Sequence, residues 1–157
     1  MRWSVALFAL FAAPALASPE TALTFVDARG APVEIRTVPQ ADRALLLHFW
    51  ASWCPDCAED LVHLDEAASG CERVRVVAVN AGDSQAQVDA FLARRPLRLD
   101  VLRDPNGEVW RRLDGRGLPA NVYWSQRGRS ADLGPKTGAQ WRARLAELGC
   151  SAAPRAD

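Results

Sequence analysis

Apolar residues fall into short runs along the chain, separated by segments of helical or turn-like character. Residues 44–50 and 74–79 are almost uninterrupted apolar runs, which is typical of strands buried on both faces of a sheet. Residues 54–68 between them predict a helix, and Gly70 supplies its stop. Residues 21–35 alternate around a turn and predict an N-terminal β-hairpin.

Shorter elements are expected in the second half of the chain. Ser84 can cap a helix that ends before Pro96. After it we predict a strand over residues 97–102, a turn over 104–107 and a short helix over 109–113. A strand over 122–124, a hairpin turn over 126–129 and a last helix over 138–148 complete the predicted elements. This order predicts an α/β fold in which a mixed central sheet is flanked by helices, in one domain over residues 18–150.

The N-terminal segment has the pattern of a secretory signal. Arg2 precedes an apolar run that reaches Leu16, and residues 15–17 fit a small-x-small cleavage site. We therefore expect residues 1–17 to be a cleaved signal peptide and the domain to be exported to the periplasm. An uncleaved membrane anchor is the alternative that the sequence leaves open. Residues 151–157 are expected to be a flexible tail.

Charge excludes one class of partner. The chain has 157 residues, with 19 basic and 19 acidic side chains that leave a formal net charge of zero. Nucleic-acid binders need clustered basic residues that displace counterions from the phosphates. We expect no nucleic-acid partner.

Two cysteines stand at the junction of a buried strand and a helix. The start of a helix carries unpaired N–H groups and a partial positive charge, which favour a thiolate over a thiol. Only the thiolate attacks a disulfide, so this placement selects Cys54 as the nucleophile. Cys57 follows three residues later and can resolve the mixed disulfide. Pro55 suits the first helical turn, where an N–H group is not needed.

A zinc site is the alternative use of two cysteines at this spacing. Structural zinc normally has four ligands, often supplied as two closely spaced pairs. The other two cysteines are isolated from each other, and His48 and His63 are the only histidines. We expect no metal and no cofactor beyond the redox-active Cys54–Cys57 disulfide.

The pattern Phe-Trp-Ala-x-Trp-Cys-x-x-Cys at residues 49–57 resembles the thioredoxins, and most closely the exported TlpA-, ResA- and DsbE-type thiol-disulfide oxidoreductases. The resemblance covers residues 21–149 and implies a thioredoxin-like fold. It also implies a cis peptide bond between Leu118 and Pro119, a backbone there that pairs with the substrate, and a proline ring that keeps metals from the thiols. The residues assigned to substrate binding are Trp53, Pro55, Asp56 and Leu118.

The sequence departs from that family at several positions. Asp56 stands where proline is common, Asp60 replaces a glutamate as a modulating acid, and Ala120 replaces a threonine. His48 stands where thioredoxins have a buried aspartate that relays protons to the second cysteine. Its near-neutral pKa suits that role in exchange with Cys57, but a hydrogen-bonded core histidine without a role is an equal alternative.

The acidic residues around the cysteine pair set the expected direction of electron flow. Asp56, Glu59 and Asp60 disfavour a nearby thiolate, so the pair is expected to be a reductant of substrate protein disulfides. An oxidant or isomerase of the same fold is the alternative, because Asp56 could be screened by water. A copper-binding chaperone is a further alternative, but Met1 is the only methionine, so soft thioether ligands for copper are scarce.

A second pair of cysteines is expected at the opposite end of the domain. Cys71 begins a predicted strand and Cys150 follows the last helix, so a structural disulfide can join them, with a second redox relay as the alternative. The resemblance implies a membrane-embedded electron donor, and we expect a monomer. Cytochrome c maturation, disulfide repair and copper-enzyme assembly all use this scaffold, so the substrate stays open.

Overall fold

The computed structural model of the chain describes residues 22–37, 43–113 and 115–150, which form one seven-stranded sheet and four helices. The predicted signal peptide and the predicted C-terminal tail lie outside the described residues. Within them, no helix is both long enough and apolar enough to cross a membrane.

The sheet is mixed, as predicted. In chain order the elements are β1 (Ala22–Val26), β2 (Pro32–Arg36), β3 (Ala44–Trp50), α1 (Cys57–Ala68), β4 (Val74–Ala81), α2 (Gln85–Arg94), β5 (Asp100–Asp104), α3 (Glu108–Arg112), β6 (Ala120–Ser125), β7 (Gly128–Leu133) and α4 (Gly138–Glu147). The strand order is β2-β1-β5-β4-β3-β6-β7. Strands β3, β4 and β5 pair in parallel, and the other pairs are antiparallel.

Strand β3 lies inside the sheet, between β4 and β6, and is buried at all seven positions. Its alternate side chains therefore pack into two layers on opposite faces. Leu47 and Phe49 pack with Val109 of α3 on one face. On the other face Leu46 packs against α1 and α4, and Trp50 packs against α1 and α2. His48 belongs to this second face because side chains alternate along a strand.

Several predicted boundaries differ from the observed ones, and two of them are wrong for a clear local reason. The helix after β3 begins at Cys57 and not at Cys54, because the intervening residues form i-to-i+3 turns instead of helical bonds. The strand predicted over residues 97–102 begins at Asp100. The carboxylate of Asp65 accepts the N–H groups of Arg98 and Leu99, at 2.8 and 3.0 Å, which takes those residues out of the ladder.

A disulfide joins Cys71 to Cys150, with their Cα atoms 5.3 Å apart. Cys71 lies in the connection before β4, which begins at Val74, so the prediction that it starts the strand is wrong. Cys150 follows α4 and its N–H group donates to the carbonyl of Leu145. The bridge therefore joins the ends of α1 and α4 that lie away from Cys57.

Candidate active site

Cys54 and Cys57 form a disulfide between the end of β3 and the start of α1, with their Cα atoms 5.4 Å apart. Two successive turns shape this segment: the N–H of Cys54 donates to the carbonyl of Ala51, and the N–H of Cys57 donates to the carbonyl of Cys54. Cys54 is 6% exposed, whereas Cys57 is 0% exposed. Both cysteines are therefore buried, and only Cys54 keeps a small exposed fraction.

The loop that carries Cys54 is held by the end of β4. The N–H of Ser52 donates to Asp83 Oδ2 at 2.6 Å, and Asn80 Nδ2 donates to the same oxygen at 2.7 Å. The N–H of Asp83 donates back to Asn80 Oδ1. The sequence analysis missed this support, although an asparagine inside a buried strand was a visible signal for it.

The peptide bond between Leu118 and Pro119 is cis, the isomer that the resemblance implied. Pro119 is buried, and its carbonyl accepts the N–H of Gly134 at 2.9 Å. Leu118 is half-buried and packs against the apolar cluster that contains both Cys54 and Cys57. The fold thus brings the Leu118–Pro119 segment to the disulfide from β6.

The four residues assigned to substrate binding line two different depressions. Trp53, which is 67% exposed, and Leu118 line a groove of about 310 Å³ together with Trp110. Pro55 and Asp56 are exposed and line a depression of about 240 Å³. The structure therefore brings Trp53 and Leu118 together and separates them from Pro55 and Asp56.

Asp60 is a buried carboxylate one helical turn after Cys57. Its Oδ1 atom accepts the backbone N–H of Lys136 at 2.9 Å and the indole N–H of Trp141 at 2.6 Å. Its Oδ2 atom faces His48 Nε2 at 3.8 Å, with both side chains fully buried. The proton-relay position and the modulating acid are therefore neighbours, which the sequence analysis treated as separate features.

His48 is held from both sides of its ring. Its Nδ1 atom lies 2.7 Å from Oδ1 of Asn121, its antiparallel partner on β6. The ring meets Trp141 edge to face at 5.8 Å between centroids. Burial lowers the pKa of His48 below its ordinary value, and the nearby carboxylate of Asp60 opposes that shift.

Three partners of this buried pair were not found from the sequence: Asn121, Lys136 and Trp141. Asn121 could have been suspected, because it is a polar residue in an otherwise apolar strand two positions after Pro119. Lys136 contributes a backbone N–H group, for which residue identity gives no signal.

Fold and site together define the class: a thioredoxin-like thiol-disulfide oxidoreductase with a Cys54–Cys57 pair. The chain belongs to the AhpC/TSA family, whose family model matches residues 12–128.

Named relatives are of the same kind. The chain is 25% identical over 111 residues to the sporulation thiol-disulfide oxidoreductase A of Bacillus subtilis, covering 66% of this chain and 67% of the relative. It is 28% identical over 113 residues to the thiol-disulfide oxidoreductase ResA of Halalkalibacterium halodurans, covering 69% of this chain and 63% of the relative. The second match thus spans less than two thirds of that relative's length.

Solved structures agree with the fold. A putative thiol:disulfide interchange protein DsbE from Chlorobium tepidum superposes with a TM-score of 0.69 at 25% identity, covering 83% of this chain and 95% of that one. MTB dsbF, in its mixed oxidized and reduced forms, superposes with a TM-score of 0.72 at 21% identity, covering 82% of this chain and 96% of that one. The second likeness concerns the fold alone.

Proposed function

We propose that this protein is an exported reductant of protein disulfides that acts through the reduced Cys54–Cys57 pair. The observation that carries the proposal is the unequal burial of the two cysteine residues, because Cys54 is 6% exposed and Cys57 is 0% exposed. An exposed sulfur can meet a substrate disulfide, and a buried one is limited to reaction within the protein.

The exchange has two balanced steps. The Cys54 thiolate attacks one sulfur of the substrate disulfide, which forms a mixed disulfide and releases the first substrate thiolate. Cys57 loses its proton and attacks the Cys54 sulfur, which closes the Cys54–Cys57 disulfide and releases the second substrate thiolate. The substrate gains two electrons, and the protein loses them. Pro119 and Leu118 present the backbone beside which the substrate chain lies.

The direction of electron flow follows from the buried charge. Asp56 and Glu59 are exposed and screened by water, but the carboxylate of Asp60 is buried one turn from Cys57. In a poorly solvated site an anion disfavours a second anion nearby, so it destabilises the thiolate of the reduced pair. A reduced form that is less stable gives up its electrons more readily. The expected potential is nearer to that of thioredoxin, about −270 mV, than to that of the oxidant DsbA, about −120 mV.

The deprotonation of Cys57 needs an acceptor inside the protein. His48 and Asp60 are the buried ionisable groups that support this role, since they face each other and Asp60 follows Cys57 on α1. We assign His48 as the proton acceptor and Asp60 as the acid that modulates it. This assignment uses the histidine where the related thioredoxins use an aspartate.

Export is supported by the pattern of residues 1–17 and by the relatives. The chain is 25% identical over 137 residues to a relative from Mycobacterium bovis named soluble secreted antigen MPT53, covering 86% of this chain and 78% of that protein. An exported reductant must be re-reduced after each turnover. The donor that we propose is a membrane-embedded electron donor, which the family resemblance implies.

Two measurements test the proposal. Equilibration with dithiothreitol or glutathione, followed by thiol counting, gives the potential of the pair, and we expect a value near −270 mV. A value at or above about −180 mV would favour an oxidant or isomerase. Substrate trapping completes the test: Cys57→Ser should accumulate mixed disulfides on Cys54, and the matched control Cys54→Ser should accumulate none.

A further inference from the structure

Polar side chains from β6, β7 and the start of the last connection form a continuous hydrogen-bonded path to His48. Lys136 Nζ and Asn121 Nδ2 both contact Asp132 Oδ1, at 2.6 and 2.9 Å. The hydroxyl of Tyr123 donates to Asp132 Oδ2 at 2.9 Å. Asn121 Oδ1 then meets His48 Nδ1 at 2.7 Å. Every link in this path is a direct contact between side chains.

Chemistry at one end fixes the direction of every bond along this path. A carboxylate paired with a lysine accepts hydrogen bonds and does not donate them, so Asn121 must present its NH₂ group to Asp132. The carbonyl oxygen of Asn121 consequently points at His48. Since that oxygen only accepts, His48 Nδ1 must carry a proton. Nε2 is therefore the nitrogen at which His48 gains or loses a proton.

The atom that faces His48 Nε2 is Asp60 Oδ2, and neither of these two atoms has another partner among the described residues. The two atoms lie 3.8 Å apart. Asp60 Oδ1 is already occupied by two N–H donors. With His48 neutral and Asp60 ionised, two buried acceptor atoms face each other. Buried acceptors without a donor are costly, and a proton placed between these two atoms would give each of them a partner.

We propose that Asn121 is a positioning residue for proton transfer: it reserves His48 Nε2, together with Asp60 Oδ2, to receive the proton of Cys57. This inference rests on the proposed function, because only disulfide exchange deprotonates Cys57. The step is balanced. The thiol of Cys57 becomes the thiolate that attacks Cys54, and its proton moves to the Nε2–Oδ2 pair. The proton returns to Cys57 when the disulfide is reduced again.

The groups around His48 determine how replacement of Asn121 should shift the pKa of His48. Burial lowers the pKa of His48, and Lys136 lowers it further, whereas Asp60, the hydrogen bond that His48 donates to Asn121 and the charge of Asp132 raise it. Removal of the Asn121 side chain should therefore lower the pKa of His48. Placement of a carboxylate at the same position should raise it, because an anion then accepts the Nδ1 proton directly.

The first test is Asn121→Ala, observed by NMR of the imidazole nitrogens in the full-length oxidised protein. We expect that the proton of neutral His48 is no longer confined to Nδ1. Rapid-mixing kinetics on the reduced protein should show resolution of the mixed disulfide slowed by about tenfold, the scale on which groups that orient a reacting histidine act. The same nitrogen tautomer as in the wild type, with an unchanged pH dependence, would overturn the proposal.

The second test is the exchange pair Asn121→Asp with Asp132→Asn, which keeps a donor and an acceptor at the same places. In this double variant the proton of neutral His48 should again be confined to Nδ1. The pH dependence of mixed-disulfide resolution should shift to higher pH, opposite to the shift in Asn121→Ala. Parallel losses in both variants, with no change of tautomer, would mean a structural role only. The NMR readout requires no turnover. If the wild-type protein reduced no disulfide, the proposed function would be refuted. The NMR measurement would still show which nitrogen of His48 carries the proton.

Discussion

The indole N–H of Trp141 donates a 2.6 Å hydrogen bond to Asp60 Oδ1, which joins α4 to α1 one turn after Cys57. The backbone N–H of Lys136 donates to the same oxygen. The two N–H donors satisfy this buried oxygen, which would otherwise lack a partner. The buried negative charge near the cysteine pair is thus built by α1 and α4 together, and it is the basis of the reducing character that we propose.

Asp60→Asn should make the pair more oxidising. The amide oxygen can still accept from Lys136 and Trp141, so packing is kept while the charge is removed. Loss of an anion near the thiolate stabilises the reduced form, and we expect the potential to rise by about 30 mV, equivalent to about 1.4 kcal/mol. The potential is measured by equilibration with a dithiol buffer.

Asp65→Asn is the matched control for that experiment, because Asp65 is a second buried carboxylate on α1. It binds the N–H groups of Arg98 and Leu99, away from the cysteines. The reduction potential of the Cys54–Cys57 pair in Asp65→Asn should equal that of the wild type. Equal shifts in both variants would contradict a specific role for Asp60.

The stability of the oxidised protein should fall in acid partly because of His48. Burial lowers the pKa of folded His48 below the ordinary value of 6.5, so the unfolded chain binds a proton at a higher pH than the folded chain does. Its contribution to stability is therefore complete above about pH 6.5 and declines as the pH falls from there toward the folded pKa. In that window the free energy of unfolding of the wild type should fall more steeply with decreasing pH than that of His48→Gln. The difference in slope should be up to about 1.4 kcal/mol per pH unit.

Urea unfolding at a series of pH values measures this difference. The wild-type protein measured over the same pH series is the reference. A His48→Gln profile that runs parallel to the wild type would disprove the assigned shift.

Joint replacement of Cys71 and Cys150 by serine should destabilise the domain without abolishing exchange. The bridge spans a sequence separation of 79 residues and lies at the end of α1 away from Cys57. The chain-entropy treatment gives a loss of about 4–5 kcal/mol in the free energy of unfolding. Denaturant unfolding measures that loss, and a thiol-exchange assay should retain activity at temperatures where the variant is folded. Loss of exchange in the folded variant would instead favour a redox relay.

Trp53→Ala should weaken substrate recognition and leave stability unchanged. The side chain is largely exposed beside the groove that Leu118 also lines, so its apolar surface is free to cover a substrate chain. We expect kcat/KM for a protein disulfide to fall about fivefold or more, as for an anchoring aromatic residue. The unfolding free energy should change by less than about 0.5 kcal/mol.

Leu133→Ala is the control for Trp53→Ala, because Leu133 is also an exposed apolar residue but lines a different surface depression. Its kcat/KM should match that of the wild type. Comparable losses in the two variants would show that general surface hydrophobicity, and not the groove beside Trp53, determines recognition.

The elements with a strong local pattern could be predicted from the sequence. The apolar run of β3 matches the strand at both ends, and Ser84 caps α2 through a capping box with Gln87. The cysteine spacing indicated the chemistry together with its place after a buried strand and the scarcity of other metal ligands. The start of α1 could not be placed, because a turn of i-to-i+3 bonds has no distinct residue pattern and Pro55 fits either geometry.

The buried polar partners could not be predicted for a different reason. Asn121 meets His48, 73 residues away in sequence, through the register of two antiparallel strands. Trp141 meets Asp60, 81 residues away in sequence, through the packing of two helices. Such contacts depend on the assembled sheet and helix layers, and no local periodicity encodes them.

The most direct measurement is competitive alkylation of the reduced protein with a small amount of iodoacetamide, followed by peptide mass mapping. The central claim is that Cys54 is the reacting sulfur and Cys57 the internal partner. The predicted result is modification of Cys54 in large excess over Cys57. Equal labelling of the two sulfurs, preferential labelling of Cys57, or protection of both would contradict it.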